Sequence, residues 1–255
     1  MTTTASSLAL SVAMAAAAGL VGCFAVMRRM TLASDAISHV ALPGIGAALA
    51  FQIHPALGAG AALLLGTLVI WGLEHRTRIA TETLIGVVFS TALAVGALIT
   101  SGEELVDALL GAPATLRPWE VAAGVLAALG VVAFLLGQRS RLVIRLVSAD
   151  MARTAGIEVA RLDLLYLLAF AATVALGLRY LGVLLMGSLI IIPAATAKHL
   201  AHDLRSMFAI SVATAVLSTV AGTVLAERFG RPTGPVIIAI AAGLFFASLL
   251  RRRHS

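Results

Sequence analysis

Charge is scarce in this sequence: Asp, Glu, Lys and Arg make up 12% of the 255 residues, while 60% are hydrophobic. A soluble domain of this length needs far more charge to stay dissolved, so the composition excludes one and makes lipid the main solvent. Cysteine is nearly absent. Cys23 stands alone inside an apolar run, which excludes an internal disulfide and a thiolate metal cluster and leaves it a packing role. No Gly-Lys-Ser or Gly-Lys-Thr occurs, so the chain carries no phosphate-binding loop for ATP. Residues 1–27 contain no charged side chain. No basic stretch precedes this run, and it exceeds the apolar core of a signal peptide, so it reads as a retained first helix.

What the sequence does contain is apolar segments, at about 7–27, 33–51, 56–73, 83–101, 119–137, 162–178, 182–197, 206–226 and 233–250. A helix needs about 20 such residues to cross the hydrocarbon core. The fold class is therefore an all-α, polytopic integral membrane protein, a single domain over 1–255, with eight or nine transmembrane helices. The seventh segment is short, and a re-entrant or strongly tilted course for it would make the count eight. With the N-terminus outside, fourteen of the 18 Lys and Arg residues fall inside, and only Arg117, Arg179, Arg228 and Arg231 fall outside. That asymmetry sets the orientation, with the C-terminus cytoplasmic if there are nine spans. Basic residues so distributed, including Arg251–Arg253, serve topology and headgroup anchoring; no nucleic-acid role is expected. Gly44, Gly46, Gly58, Gly60, Gly86, Gly96, Gly182 and Gly187 recur in the spans, mostly as close-packing positions between helices.

The stretch with the most chemistry is Ser34-Asp35-Ala36-Ile37-Ser38-His39-Val40-Ala41-Leu42-Pro43-Gly44. Four residues apart, Asp35 and His39 share one helix face. Ionisable groups within a membrane helix mark a functional site by default. Carboxylate oxygen with imidazole nitrogen suits Zn, Mn or Fe. Pro43 has no amide hydrogen for the His39 carbonyl four residues earlier, and a carbonyl so freed survives in a membrane only beside protein or a wet cavity. Spacing alone leaves two readings open, a metal site or an Asp–His hydrogen bond that ties helices together.

These residues, followed by Ile85-Gly86-Val87-Val88-Phe89-Ser90, Leu110-Gly111 and the run from Gly182 to Ala197, resemble the ABC-3 family of zinc, manganese and iron permeases. The resemblance covers nearly the whole chain in order. It departs at Val40-Ala41 and at Leu109-Leu110-Gly111, neither of which is a proposed ligand. It implies that Asp35 and His39 are pathway metal ligands, that the permease forms a homodimer in the bacterial plasma (inner) membrane, and that no cofactor is permanently bound. It also implies cytoplasmic ABC ATPase subunits and an extracytoplasmic metal-binding protein as partners. The chain itself would be no enzyme.

Residues 139–161 form the longest inner connection. Asp150 near the start and Gly156 at the end of Ser148–Ile157 fit a short capped helix. This is similar to the coupling helix by which permeases dock on an ATPase, with Ala152 as its small residue; the alternative is an amphipathic helix lying on anionic lipid. His199 and His202 read as solvated loop histidines or as receivers of exiting metal. Glu103, Glu104 and Asp107 read as an outer loop or a cation-attracting mouth, and His54 as neither. Pro193 is expected to kink the seventh segment by freeing the Leu189 carbonyl. Rival functions are a cobalamin or ferric-siderophore ABC permease and a proton-coupled secondary transporter.

Overall fold

The computed structural model describes residues 2–30, 33–77, 79–99, 117–181 and 183–250; within these, the side chains of 2–6, 34, 35, 179–181 and 183–185 lie outside the description. Glu103, Glu104, Asp107, Leu110-Gly111, Gly182 and Arg251–Arg253 therefore fall outside it as well. The described residues are helical, with no strand among them. Nine helices coincide with the nine apolar segments: α1 (Thr2–Met27), α2 (Ala33–Ala50), α3 (Pro55–Arg76), α4 (Thr81–Ile99), α5 (Pro118–Gly137), α8 (Val159–Leu181), α9 (Val183–Leu200), α10 (Leu204–Phe229) and α11 (Thr233–Leu249). Two short helices, α6 (Arg139–Val147) and α7 (Ala149–Thr154), lie between α5 and α8.

Helix ends follow local chemistry. Pro118 occupies the first turn of α5, where its missing amide is no loss, and the Arg117 amide donates to Glu120 Oε2 at 2.8 Å. His54 caps α3, its Nδ1 accepting from the Ala56 amide at 3.3 Å. Asp203 caps α10 by accepting from the Ser206 amide at 2.8 Å. Ser206, through its side-chain and backbone hydrogen bonds, holds the Asp203 carboxyl below its ordinary value. This cap is therefore complete above the ordinary carboxylate range and is lost as pH falls through the lowered value.

Six described helices are long and apolar enough to cross a membrane: Ser7–Met27, Pro55–Arg76, Thr81–Ile99, Pro118–Gly137, Val159–Leu178 and Leu204–Phe229. Ala36–Ala50 and Thr233–Leu249 are shorter apolar helices. The packing is apolar both inside and outside. α1 is enclosed by α5, α8, α9 and α10, and its Ala17, Ala18, Val21, Cys23 and Phe24 are fully buried. Large apolar side chains stay exposed on α3, α4 and α5, among them Leu65, Val87, Leu98 and Leu126, as a lipid-facing surface requires.

The helices are drawn together by small residues. A Cβ added at Gly44 would stand 2.1 Å from the Gly58 carbonyl oxygen, and one at Gly58 would stand 2.0 Å from that of Gly44. The α2 and α3 backbones thus cross in direct contact, as small-residue packing in lipid allows. Gly96 of α4 faces Pro43, and Gly66 of α3 faces Val40. The expectation that the span glycines serve packing holds at Gly44, Gly58 and Gly96. It does not hold at Gly60 and Gly86, where an added Cβ meets nothing within 4 Å.

α8 and α9 form a helical hairpin, with Gly177 against Met186. One cleft joins Arg139, Ser140, Val143 and Ile144 to Asp203, Leu204 and Arg205, and Arg145 pairs with Asp163 near the start of α8. α9 therefore returns to the end of the bundle where α8 begins, rather than doubling back midway. Pro193 lies within the helical span of α9, as Pro43 does in α2, and α9 packs on α2.

Candidate functional site

The helix α2 runs unbroken from Ala33 to Ala50, so residues 35 and 39 stand one turn apart, roughly 6 Å along the axis. Helix propensity does not explain this course, since Ser38 and Pro43 are poor choices in a helix interior. Tertiary packing holds it: α2 touches α3, α4, α8 and α9. Ala36, Ile37, Ser38, Val40, Ala41 and Leu42 are buried, while His39 is only half-buried. The His39 ring meets Phe89 of α4 edge to face, with centroids 5.5 Å apart and planes at 80°. Phe89 belongs to the Ile85–Ser90 stretch, so two separate sequence motifs converge on one side chain. The Asp35 side chain lies outside the described residues.

The 139–158 segment is built in two pieces. α6 ends at Val147 and Ser148 breaks the helix, with its backbone extended and its Oγ accepting from the Met151 amide at 3.3 Å. Ser148, rather than Asp150, therefore supplies the cap. Asp150 sits in the first turn of α7, exposed and paired with Arg153 at 2.8 Å. Such an exposed pair adds little stability. Gly156 terminates the helix in the left-handed region, at φ +74°, and the Ile157 amide closes back on the Ala152 carbonyl at 2.9 Å. Ala152 is 0% exposed and faces the protein, whereas Asp150, Met151, Arg153 and Thr154 are exposed. A cleft of about 500 Å³ beside α7 is lined by Trp71, His75, Arg153, Glu158 and Arg161 among others, and Trp71 Nε1 donates to the Ala160 carbonyl at 2.8 Å across its floor.

One cluster escaped sequence reasoning. Asp163, 1% exposed, is held by Arg28 at the end of α1 and by Arg145 of α6, whose Nη2 lies 3.0 Å from Oδ2. The Arg28 guanidinium stacks 4.4 Å from the ring centre of the buried Tyr166. A signal was available, because Asp163 stands inside the apolar run 162–178 and meets the same rule that singled out Asp35. His199 and His202 fall apart from α2 in the chain, at the far end of α9. His199 is half-buried in the last turn of α9, and His202 is exposed just beyond it. Among the described residues, no group of three or more His, Cys, Asp and Glu is placed to hold a metal ion.

The chain is similar to a high-affinity zinc uptake system membrane protein, ZnuB, of Haemophilus influenzae, with 28% identity over 91% of each chain. It is also similar to a manganese transport system membrane protein, MntC, of Listeria monocytogenes, with 26% identity over 94% of this chain and 87% of that one. Among solved structures, PsaBC from Streptococcus pneumoniae in complex with Fab superposes with a TM-score of 0.81, at 25% identity, over 96% of this chain and 90% of that one. The first two are named as membrane proteins of transport systems rather than as enzymes, and the solved structure shares the helical architecture. The family model describing the ABC 3 transport family matches residues 1–252, and the chain belongs to that family.

Proposed function

We propose that this permease imports a divalent transition-metal ion, with Asp35 and His39 as its transient ligands and a separate ATPase as its motor. The observation that carries this is the unbroken α2 helix, which sets residues 35 and 39 one turn apart in a span gripped by four other helices. The relatives named for zinc and manganese transport support the choice of cargo. Two protein ligands do not fill a tetrahedral set. That suits cargo in transit, which must bind well enough to enter and weakly enough to leave.

In this reading an extracytoplasmic metal-binding protein delivers the ion, and two copies of the permease form the pathway with two ATPase subunits below. The basic clefts at the ends of α1, α3, α5 and α9 face the cytoplasm by the positive-inside rule. The return course of α9 favours nine crossings. α7 docks on the ATPase through Asp150, Met151 and Arg153, while the buried Ala152 and the turn at Gly156 hold that face in place.

The test is cellular content of Mn, Fe and Zn in a deletion strain, with and without the wild-type gene restored. The metal that falls and recovers names the cargo. If all three metals stay unchanged under metal limitation, metal import is the wrong function. Uptake that survives removal of every candidate ATPase points to a secondary transporter instead. A finer check is Gly156→Ala. An L-residue at φ +74° is strained by about 1–2 kcal/mol, with space for the methyl itself. The expected result is a loss of ATPase copurification and of ATP-driven uptake at unchanged expression; if neither changes, α7 is not the docking element.

A further inference from the structure

We infer that Asp163 is a positioning residue that locks the α6–α7 segment to the feet of α1 and α8, so that a displacement of α7 reaches the metal-bearing helix α2. The inference rests on the docking role proposed for α7. One carboxylate serves two guanidiniums from two other elements. Arg28 Nη2 donates to Oδ1, and Arg145 Nε donates to Oδ2 at 3.1 Å, with Arg145 Nη2 3.0 Å from the same oxygen. Both carboxylate oxygens are used and the group is shut off from solvent.

An ion triad about a buried carboxylate contributes little net stability relative to apolar side chains of the same volume, but it fixes the relative position of the elements that supply it. Arg28 is further restrained by the Tyr166 ring, and the Tyr166 hydroxyl donates to the Val21 carbonyl of α1 at 3.4 Å. The joint is thus rigid on its α1 and α8 sides. On its other side, the lever is short. Ser148 alone separates α6 from α7, its amide bonded to the Ile144 carbonyl at 3.0 Å and its carbonyl to the Ala152 amide at 3.1 Å. Arg145 lies three residues before that break. Arg28 lies five residues before the start of α2 and seven before Asp35. A push on α7 therefore has a connected route through Arg145, Asp163 and Arg28 to α2.

The test uses Arg145→Gln and Asp163→Asn. Arg145 is the more peripheral partner, so its variant folds even if the aspartate variant does not. Two readouts are needed: backbone amide exchange of the permease in lipid nanodiscs, and Zn(II), Mn(II) or Fe(II) moved per ATP by the permease reconstituted with its ATPase. In Arg145→Gln, exchange across 139–156 is expected to speed by about tenfold or more while α10 stays protected. Metal moved per ATP is expected to fall several-fold while hydrolysis persists, with partial recovery in Arg145→Lys. Unchanged exchange across 139–156 overturns the joint. So does an equal loss of protection in α10, which marks a merely structural role. Loosened exchange with unchanged metal per ATP overturns the transmission. If the wild-type transporter moves none of the three metals with ATP, the function proposed above fails, and the exchange result still decides whether the joint exists.

Discussion

Replacing Asp35 and His39 together by alanine is expected to abolish metal uptake while leaving the permease inserted and assembled. The two positions lie one turn apart on a helix in which Ala36, Ile37, Ser38, Val40, Ala41 and Leu42 are buried. Losing the hydrogen-bonding partners of a metal ligand typically costs 10–100-fold in affinity, so losing two ligands outright is expected to lower uptake by more than about 100-fold. Phe89→Leu gives the graded comparison. It keeps both ligands but removes the edge-to-face contact that orients the His39 ring, so its loss is expected to be about tenfold or less. The measurement is uptake of Mn, Fe and Zn in cells, normalised to permease in the membrane. Normal uptake by a well-expressed double alanine variant would remove both residues from the pathway.

Much of this architecture was legible because lipid imposes a simple code. Each apolar segment became a helix, since a backbone in hydrocarbon must satisfy itself. The seventh segment was ambiguous by length alone. Its course became clear only from Gly177 against Met186 and from the cleft that brings Asp203 beside Arg139. Asp35, His39 and Pro43 stood out because polar and helix-breaking residues are conspicuous in an apolar run. Asp163 was equally exceptional, but its meaning depends on Arg28 and Arg145, which lie 135 and 18 residues away. No local pattern carries that pairing. The short helix after Ser148 was legible, but not which side chain caps it: Ser148 Oγ, rather than Asp150, accepts from the Met151 amide. The glycines mark the same limit: sequence shows that they are small, and only the packing shows which of them have a helix against them.

Gly58→Ala is expected to be severely destabilising, whereas Gly60→Ala, two residues along the same helix, is expected to be tolerated. At Gly58 the new methyl would stand 2.0 Å from the Gly44 carbonyl oxygen and 2.6 Å from the Ala48 Cβ. The first obstacle is backbone, so no side-chain rotation relieves it, and α2 and α3 must part by roughly 1 Å or more to restore van der Waals distances. Overpacking a tight interior costs about 1–3 kcal/mol where side chains yield, and a backbone obstacle puts this substitution at about 3 kcal/mol or more. At Gly60 nothing lies within 4 Å, and alanine favours the helix by up to about 1 kcal/mol. The consequence reaches function because Gly44 lies little more than one turn beyond His39. Parting α2 from α3 there also disturbs Val40 against Gly66 and shifts the His39 ring from its seat on Phe89. Gly58→Ala should therefore lower the thermal midpoint of the detergent-purified permease by several degrees and depress metal uptake, with Gly60→Ala matching or exceeding wild type in both. Equal midpoints for the two variants would mean that α2 and α3 do not cross through this glycine pair, and the position assigned to His39 would fall with it.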